Sequence, residues 1–527
     1  MASSRGNTRI GRRRALVLLA GSPALALLAA RSAAPAATPA PAAKQPKRGG
    51  SLKLAHGGDI LGFDPSQNAG GNWPMFNQVY NVLVRLDENL RPQPELAESW
   101  QFSSDYRTLT LNLRRGVKFH SGRELTADDV VFNIKRVQDP KLAANVQTMA
   151  VKFKSIEAKD KYTVLCRFDA FYAPVLDMLD LLWIIDPQGE AAIKTKGAGT
   201  GPFKLDTWKP GDHVRLVRNE NYWRQGLPYL DEVLIRAMPD EQGMVIALGA
   251  GDIDIVEAPP AREWVRLQKA GRLKTVKGPM ATMIHLAINV GTQTPLKDKK
   301  VRQGIAAALD RKRYIDLFLS GASEPVCLPF PSKSLAYDEK QGQACMPDFD
   351  LAKAKKIIAD AGYPNGFEVN LQTAVGAYSP YSKEIGEIIQ ADLRQIGVKV
   401  NINHFEQAEA RRRFFAREYD MAVHQYARFQ RDPATLFGAS VNFRLGDANA
   451  CNYTGEEYTK LVKAADAEPD PQKRREIYLK VNQIILDDNW TISMFPLYRL
   501  YALQPFVTGL QLNQDGMETL EGVWLDK

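Results

Sequence analysis

The sequence is poor in the residues that most often mark catalysis or metal binding. It contains four cysteines and six histidines in 527 residues, with no Cys-x-x-Cys motif and no histidine pair at metal-ligand spacing. It also lacks a Gly-x-Ser-x-Gly elbow, a His-Glu-x-x-His motif and a Walker lysine. These absences predict a protein that is not an enzyme and uses no cofactor, and a hydrolase is the less favoured alternative.

Beyond the N-terminus the sequence also lacks long apolar runs, since none reaches the roughly 18 residues that a membrane-spanning helix needs. Hydrophobic residues make up 45% of the chain and charged residues 24%, which is typical of a soluble globular protein. A chain of 527 residues is too long for one ordinary domain. The sequence therefore predicts roughly two or three globular domains.

The N-terminal segment is typical of an export signal. Arginines at 12–14 precede an apolar stretch at 15–30, and Ala/Pro-rich sequence follows to Ala43. We predict a signal peptide over 1–36 that is cleaved within 34–43, and a flexible leader over 37–48. The pair Arg13-Arg14, followed by Ala-Leu-Val, resembles a twin-arginine signal, and a Sec signal with an arginine-rich start stays open.

The basic charge of the sequence lies mostly in this signal. The whole chain has 69 Lys and Arg against 60 Asp and Glu, a formal net charge of +9. Six arginines and no acid fall within residues 1–36, so the mature chain is much closer to neutral. The charge therefore does not indicate a nucleic-acid partner. The predicted location, which follows from the export signal and not from the charge, is the periplasm.

Cysteines in an exported chain invite disulfides. Cys327 and Cys345 flank a segment with Pro, Ser and Gly and without a strong period, and they are the candidate disulfide. Closing a loop of about 18 residues there would stabilise the fold by roughly 3 kcal/mol. Cys166 lies in a strand-like segment and Cys451 in a polar loop, and their partners stay open.

Hydrophobic periodicity in the first half predicts a strand followed by a helix. Leu109 and Leu111 alternate with polar residues in a strand over 108–118. Thr126 and Asp129 have the spacing of a capping pair at the start of a helix.

The second half alternates more regularly. Asp350 is a helix cap and Gly362 a helix end. Strands over 367–371 and 398–402 flank a helix over 380–396. This alternation, with short turns, predicts an α/β lobe with a largely parallel sheet.

Short motifs follow one another along the chain in three blocks. They are Leu-Ala-Glu-Ser-Trp at 96–100 with 113–122 and 127–130; Gly-Thr-Gly-Pro-Phe at 199–203 with 219–223 and 228–231; and Val-Arg-Gln-Gly at 301–304 with 308–311 and Gly321. Each motif is weak alone, and Gly199-Thr200-Gly201 lacks the lysine of a phosphate loop. In this order and spacing they resemble the peptide/nickel-type (family 5, dipeptide/oligopeptide-binding-like) extracellular solute-binding proteins of ABC importers, over essentially the whole mature chain.

The resemblance implies the fold class: α/β, a two-lobed periplasmic-binding-protein fold with a hinge, whose discontinuous first lobe carries an extra subdomain. The implied boundaries are 49–80, 198–285 and 490–527 for the core of the first lobe, 81–197 for the subdomain, and 286–489 for the second lobe. Two crossover strands near 287–289 and 490–495 would form the hinge.

The resemblance also implies the function. Such a protein captures a small peptide-like or organic solute by closing its two lobes around it, and an anionic solute is among those expected. It then delivers the solute to the permease and ATPase complex at the inner membrane, and it is expected to be a monomer. The alternative is an uptake protein for nickel or a metal chelate, in which His424 would be a metal ligand. The other interpretation of His424 is a hydrogen-bonded histidine without a metal.

Pockets of this family hold the ligand with residues after the first strand and with a late loop in the second lobe, here 68–73 and 426–433. Relatives that bind free peptides often place an aspartate in the late loop, and the matching position here is Phe429. Arg428 and Arg431 flank it, so the resemblance points to a carboxylate or phosphate on the ligand, while arginines directed to solvent are an equal alternative. The candidate ligand-binding residues are Asn68, Trp73, Tyr378, Tyr381, Tyr426, Arg428, Phe429, Arg431 and Asp432.

Overall fold

A long mixed sheet runs through the fold in this computed structural model. The structure describes residues 45–67, 73–344, 349–375, 381–427 and 431–527, and every element below lies in the unit from Pro46 to Lys527. The strands are β1 (Ser51–His56), β2 (Val84–Leu86), β3 (Pro92–Pro94), β4 (Ala97–Phe102), β5 (Thr108–Leu113), β6 (Ser155–Asp160), β7 (Thr163–Arg167), β8 (Phe203–Lys209), β9 (His213–Arg218), β10 (Glu232–Ala237), β11 (Ile255–Glu257), β12 (Lys274–Ile288), β13 (Phe367–Val375), β14 (Val398–Glu406), β15 (Met421–Tyr426), β16 (Thr491–Leu503), β17 (Val507–Thr508), β18 (Gln511–Leu512), β19 (Glu518–Thr519) and β20 (Trp524–Leu525).

Helices cover the sheet and fill the connections between its strands. They are α1 (Trp73–Val79), α2 (Ala127–Gln138), α3 (Gln147–Ala150), α4 (Val175–Leu181), α5 (Ile193–Lys196), α6 (Glu241–Ala250), α7 (Ala261–Ala270), α8 (Lys299–Ala307), α9 (Arg311–Leu319), α10 (Glu339–Ala344), α11 (Leu351–Asp360), α12 (Ser382–Arg394), α13 (Gln407–Ala416), α14 (Pro433–Ala439), α15 (Glu456–Ala467) and α16 (Pro471–Asp488). Short 3₁₀ turns occur at Pro140–Leu142, Pro187–Ala192, Pro295–Lys297 and Gly446–Ala448.

Within the described residues the main sheet has ten strands, in the order β14-β13-β15-β12-β16-β11-β1-β10-β9-β8. β1 pairs in parallel with β10 and β11, and β13 pairs in parallel with β14 and β15. Parallel neighbours need crossover connections, which α12 and α13 supply in the second half. The predicted largely parallel sheet is therefore right for β13, β14 and β15. It is wrong for β12 and β16, because these two strands run in opposite directions and pair antiparallel.

β12 and β16 are the long strands that join the two ends of this sheet. β16 is hydrogen-bonded to β11 at one end, and β12 is bonded to β15 at the other. Their mutual register shifts at three places between Lys277 and His285. The third of these shifts, where Ile284 pairs with Phe495 and His285 with Ser493, falls within the predicted crossover at 490–495. The lobe boundaries stay predictions.

A separate sheet in the order β4-β5-β7-β6 forms the first-half subdomain. Leu109 and Leu111 of β5 are fully buried, and they share one core with Val130 of α2. As predicted, the Asp129 carboxylate accepts the Thr126 N–H at 2.8 Å at the start of α2.

The 199–201 segment packs its backbone against the end of α1. A Cβ on Gly199 would overlap the carbonyl oxygen of Val79, and the buried Thr200 hydroxyl donates to Asn81 Oδ1 at 3.0 Å. The glycines therefore permit a close approach of two backbone segments.

The second half has the alternation that the sequence predicts. The Asp350 carboxylate caps α11 by accepting the Lys353 N–H at 2.9 Å, and Gly362 follows the helix at φ +95°. Ile385 and Leu393 of α12 are fully buried in the core that covers the sheet. Local capping and apolar spacing are enough to explain these elements.

Candidate functional site

The structure describes five of the nine predicted ligand-binding residues. Asn68, Tyr378, Arg428 and Phe429 lie outside the described residues. Trp73 is the first residue of α1. The other four residues all contact side chains elsewhere in the protein. They are Tyr381, Tyr426, Arg431 and Asp432.

Arg431 is a buried cation between two carboxylates. One terminal nitrogen donates to Asp180 Oδ2 at 2.7 Å, and the side chains of both residues are 1% exposed. The other terminal nitrogen pairs with Asp515. Burial lowers the pKa of Arg431, but Asp515 and Asp180 outweigh it, so the net shift is upward. An acidic ligand would therefore have to compete with two protein carboxylates for this guanidinium, which makes Arg431 a poor ligand for an anionic solute.

Asp180 is satisfied by more than this ion pair. Its Oδ1 accepts the Leu86 N–H at 3.0 Å, and the Gln514 side-chain amide donates to its Oδ2. The carboxylate, which belongs to α4, is thus held by the last residue of β2 and by the turn between β18 and β19.

Asp432 is also paired within the protein. Its N–H donates to Asp177 Oδ2 at 2.7 Å. Its two carboxylate oxygens accept from the guanidinium of Arg474 at 2.6 and 2.8 Å, and one of them accepts the Ala434 N–H at 3.0 Å at the start of α14. This residue therefore fixes the loop rather than presenting a bare charge.

Tyr426 lies in the core beside β16. Its hydroxyl is 3.2 Å from Ser493 Oγ, and its ring packs against His285 and Phe443 with centroids 5.0 and 5.2 Å apart. The side chain is buried at the end of β15, so its contacts are those of a packing residue.

Tyr381 has an unusual backbone at the start of α12. Its φ is +65°, in the left-handed region that bulky residues rarely adopt. Its ring stacks on Phe318 at 5.5 Å. Burial raises the pKa of its hydroxyl, and Glu241 of α6 and Glu384 raise it further. Tyr381 therefore packs on α9 at the start of α12.

His424 does not have the surroundings of a metal ligand. Its ring stacks on Phe414 with centroids 3.9 Å apart, and burial lowers its pKa to about 4. His285 lies 5.4 Å away, and burial lowers its pKa as well. Across the described ranges, no three His, Cys, Asp or Glu side chains come together as a metal-binding group. Its Nδ1 is buried without a hydrogen-bond partner among the described residues. Packing, rather than metal binding, is therefore the better interpretation of His424.

The cysteines divide into two kinds. Cys327 is disulfide-bonded, and its predicted partner Cys345 lies outside the described residues. Cys166 and Cys451 are free and buried, and burial raises the pKa of each thiol to about 12. These two thiols are therefore unreactive packing residues.

A second acidic cluster lies at the ends of β1 and β11. His56 Nδ1 is 2.6 Å from Glu257 Oε2, and the Tyr501 hydroxyl is 2.9 Å from Glu518 Oε2. Burial and the charge of Glu257 together raise the pKa of Glu518 to about 8. Glu518 is therefore mostly protonated at neutral pH. The carboxyl ends of parallel strands are the common ligand-binding edge of α/β sheets.

Sequence reasoning missed the partners of Arg431 and Asp432 in the late loop, which are Asp177, Asp180, Arg474 and Asp515. One local signal was available: Asp177 and Asp180 are spaced i, i+3 in the otherwise apolar helix α4. Two acids on one face of an apolar helix need buried partners. Nothing near Asp515 in the sequence indicates its partner, because Arg431 is 84 residues away.

Comparisons with known proteins agree with this fold. The family model "bacterial extracellular solute-binding proteins, family 5 Middle" matches residues 91–442. Heme-binding protein A of Haemophilus influenzae is 30% identical over 509 residues, which cover 88% of this chain and 90% of that protein.

Two solved structures share the fold over almost their whole length. The periplasmic binding protein DppA of Helicobacter pylori, in complex with the peptide STSA, superposes with a TM-score of 0.76 at 27% identity and covers 91% of this chain and 99% of its own. The binding protein AgaA of A. tumefaciens R10, in complex with agropinic acid, has a TM-score of 0.77 at 25% identity and the same coverage.

The fold and its relatives define a class: a two-lobed α/β binding protein that serves an ABC importer. The chain belongs to the bacterial extracellular solute-binding proteins of family 5. The predicted family and fold class are thereby confirmed, and the named relatives are binding proteins rather than enzymes. In the part of the chain that the structure describes, no helix combines the length and the apolar character needed to cross a bilayer.

Proposed function

We propose that this protein captures a small peptide-like or organic solute between its lobes in the periplasm and delivers it to the permease and ATPase complex of an ABC importer. It works as a monomer and without catalysis, and the lobe boundaries implied by the sequence belong to this proposal. The observation that carries it is the position of the late loop, where Arg431 and Asp432 contact Asp177, Asp180 and Asp515. These three residues lie outside the proposed second lobe. A solute beside that loop would touch both lobes and favour their closed arrangement by its differential affinity.

The chemistry of the solute follows from which charges the protein leaves available. Arg431 and Asp432 are paired with Asp180 and Arg474, so neither presents a whole charge to a solute. Phe429, which follows Arg428, cannot neutralise a buried ammonium. We therefore assign to Arg428 the role of meeting an acidic group. The names of the relatives support a peptide-like or organic solute, since they include heme, a peptide and agropinic acid.

Native mass spectrometry of the protein purified from its own host tests the proposal. We expect a small molecule retained in a 1:1 complex, and calorimetry should show that the same molecule rebinds without being converted. Turnover of that molecule would contradict a binding role, and elemental analysis of the same sample covers the metal-chelate alternative.

We expect Arg428→Gln to weaken binding of an acidic solute by roughly 1.5–3 kcal/mol, because it removes a charged hydrogen bond. Arg411→Gln is the matched control, since Arg411 lies on the exposed face of α13 and its guanidinium rests on Phe415. Equal affinities of Arg428→Gln and wild type in calorimetry would remove Arg428 from the site.

A further inference from the structure

Two separately packed cores meet at the end of the late loop. α4 carries Asp177 and Asp180, and through Leu179 it packs into the core of the four-stranded sheet. α14 follows Arg431 directly, and through Leu436 it packs into a different core, between the main sheet and α15 and α16. The contact between α4 and the start of α14 is therefore a contact between parts of the fold that pack into different cores.

Arg431 connects three segments across this contact. Its guanidinium donates to Asp180 on α4 at 2.7 Å, and it also pairs with Asp515 in the turn between β18 and β19. Asp515 is 11% exposed and Arg431 only 1%. Removing one carboxylate from a buried arginine is costly in free energy, because the remaining charges are left without partners away from water.

Asp177 makes the second connection. Its Oδ2 accepts the backbone N–H of Asp432 at 2.7 Å and the hydroxyl of Thr435 at 2.6 Å. A carboxylate of α4 thus satisfies donors in the first turn of α14, which belongs to the other core. These hydrogen bonds hold the start of α14 against α4.

All donors and acceptors in these contacts belong to the protein. Their strength therefore does not depend on a solute atom, although the same groups would be hydrated when the lobes separate. A charge-assisted hydrogen bond shifts an equilibrium by roughly tenfold or more. Arg431 makes two such contacts here, and the two hydrogen bonds to Asp177 act together with them.

We propose that Asp177, Asp180, Arg431, Thr435 and Asp515 form an interlobe latch that holds the lobes closed without a solute. This goes beyond the proposed function, because it assigns the stability of the closed state to the protein's own charges. Since the binding-competent closed state is then well populated, the solute loses little affinity to closing the lobes.

The latch is tested by measuring the distance between the lobes in solute-free protein. Spin labels at Lys159→Cys on β6 and Lys463→Cys on α15, both exposed positions, report that distance by pulsed electron resonance, because the buried Cys166 and Cys451 do not label. We expect mostly short distances in the labelled wild type. In Arg431→Gln the ratio of closed to open protein should fall roughly tenfold or more.

The matched control is Arg136→Gln. Arg136 also bridges two carboxylates, Asp64 and Glu190, each at 2.7 Å, but all three residues lie within the proposed first lobe. It should lower stability and leave the distance distribution unchanged.

Thr435→Val and Asp515→Asn give the same test with smaller changes if Arg431→Gln does not fold. Identical distance distributions in wild type and in all latch variants that fold would overturn the latch. Solute binding is measured separately, so a protein that binds no solute but opens on Arg431→Gln would reject the proposed function and keep the latch.

Discussion

Asp177 is a carboxylate in a place where its negative charge is costly. Burial and the charge of Asp432 together raise its pKa to about 7, although Arg431 opposes the shift. Tyr172 faces the same group. Asp466 faces Asp432 instead, and burial and Asp432 together raise the pKa of Asp466 to about 7. The folded protein therefore holds protons here at a pH where the unfolded chain has released them.

We expect Asp177→Asn to flatten the dependence of stability on pH. The pKa of Asp177 is raised from 3.8 to about 7 on folding, so its contribution is complete below about pH 4 and is lost as the pH rises through about 7. Between about pH 5 and pH 8 the wild type should lose on the order of 1–3 kcal/mol relative to the variant. The asparagine oxygen keeps an acceptor for the Asp432 amide.

Urea unfolding of both proteins across that range measures the difference. Asp466 and Glu518 titrate in the same window, but they do so in both proteins, so only the difference between the two curves reports on Asp177. Curves that stay parallel from about pH 5 to pH 8 would contradict a raised pKa for this residue.

Single residues of the site were predictable only in part. The late loop was located from motif order, and Arg431 and Asp432 within it are central to the observed cluster. Their roles were not predictable, because the partner of Arg431 is 251 residues away on α4. A sequence shows that a charged side chain needs a partner, but it does not show which distant segment supplies it.

At the scale of elements, the helices α14 and α16 begin with the same Asp-Pro pair in different surroundings. Asp432 caps α14 and is also the partner of Arg474, whose side chain is 7% exposed. Asp470 caps α16 by accepting the N–H groups of Gln472 and Lys473, and it is exposed. Comparing the two caps separates the contribution of capping to the free energy of unfolding from the contribution of neutralising a buried charge.

We expect Asp432→Ala to lower the free energy of unfolding by about 3–5 kcal/mol, because it leaves the Arg474 guanidinium buried without its carboxylate. The matched Asp470→Ala should cost only about 1 kcal/mol, the value of a cap. Chemical unfolding measures both. In the double variant Asp432→Ala/Arg474→Met part of the loss should return, and equal losses for the two caps would show that the buried charge is unimportant.

Elements with local signals were predicted well, and elements with distant partners were not. α11 and α12 follow from a capping aspartate and from apolar residues on one face, which lie close in sequence. β12 and β16 pair with each other across about two hundred residues, and their antiparallel pairing makes the sheet mixed. Chain direction across such a distance depends on how the lobes assemble, which local periodicity does not encode.

At the scale of the whole molecule, segments that are far apart in sequence meet in space. The subdomain helix α4, the late loop before α14 and the turn between β18 and β19 meet at one cluster. The chain passes between the halves of the main sheet through β12 and β16. If the proposed latch holds, a change in the cluster alters the relation of the proposed lobes without altering the core of either.

The signal acts on the whole chain, and we propose that it uses the twin-arginine route. A Sec signal needs positive charge in its n-region, which lysine also supplies. A twin-arginine signal is recognised by the arginine pair itself. The variant Arg13→Lys/Arg14→Lys keeps the charge and removes both guanidinium groups, so it separates the two routes.

We expect that double variant to reduce the mature protein in the periplasm roughly tenfold or more, measured by fractionation and immunoblotting in the native host. Arg12→Lys, which makes the same change one position earlier, is the control and should be exported normally. If the double variant is exported as well as the control, charge alone is sufficient and the route is Sec. Either result fixes the start of the pathway that places this binding protein beside its permease, because only an exported chain can meet a solute before the importer does.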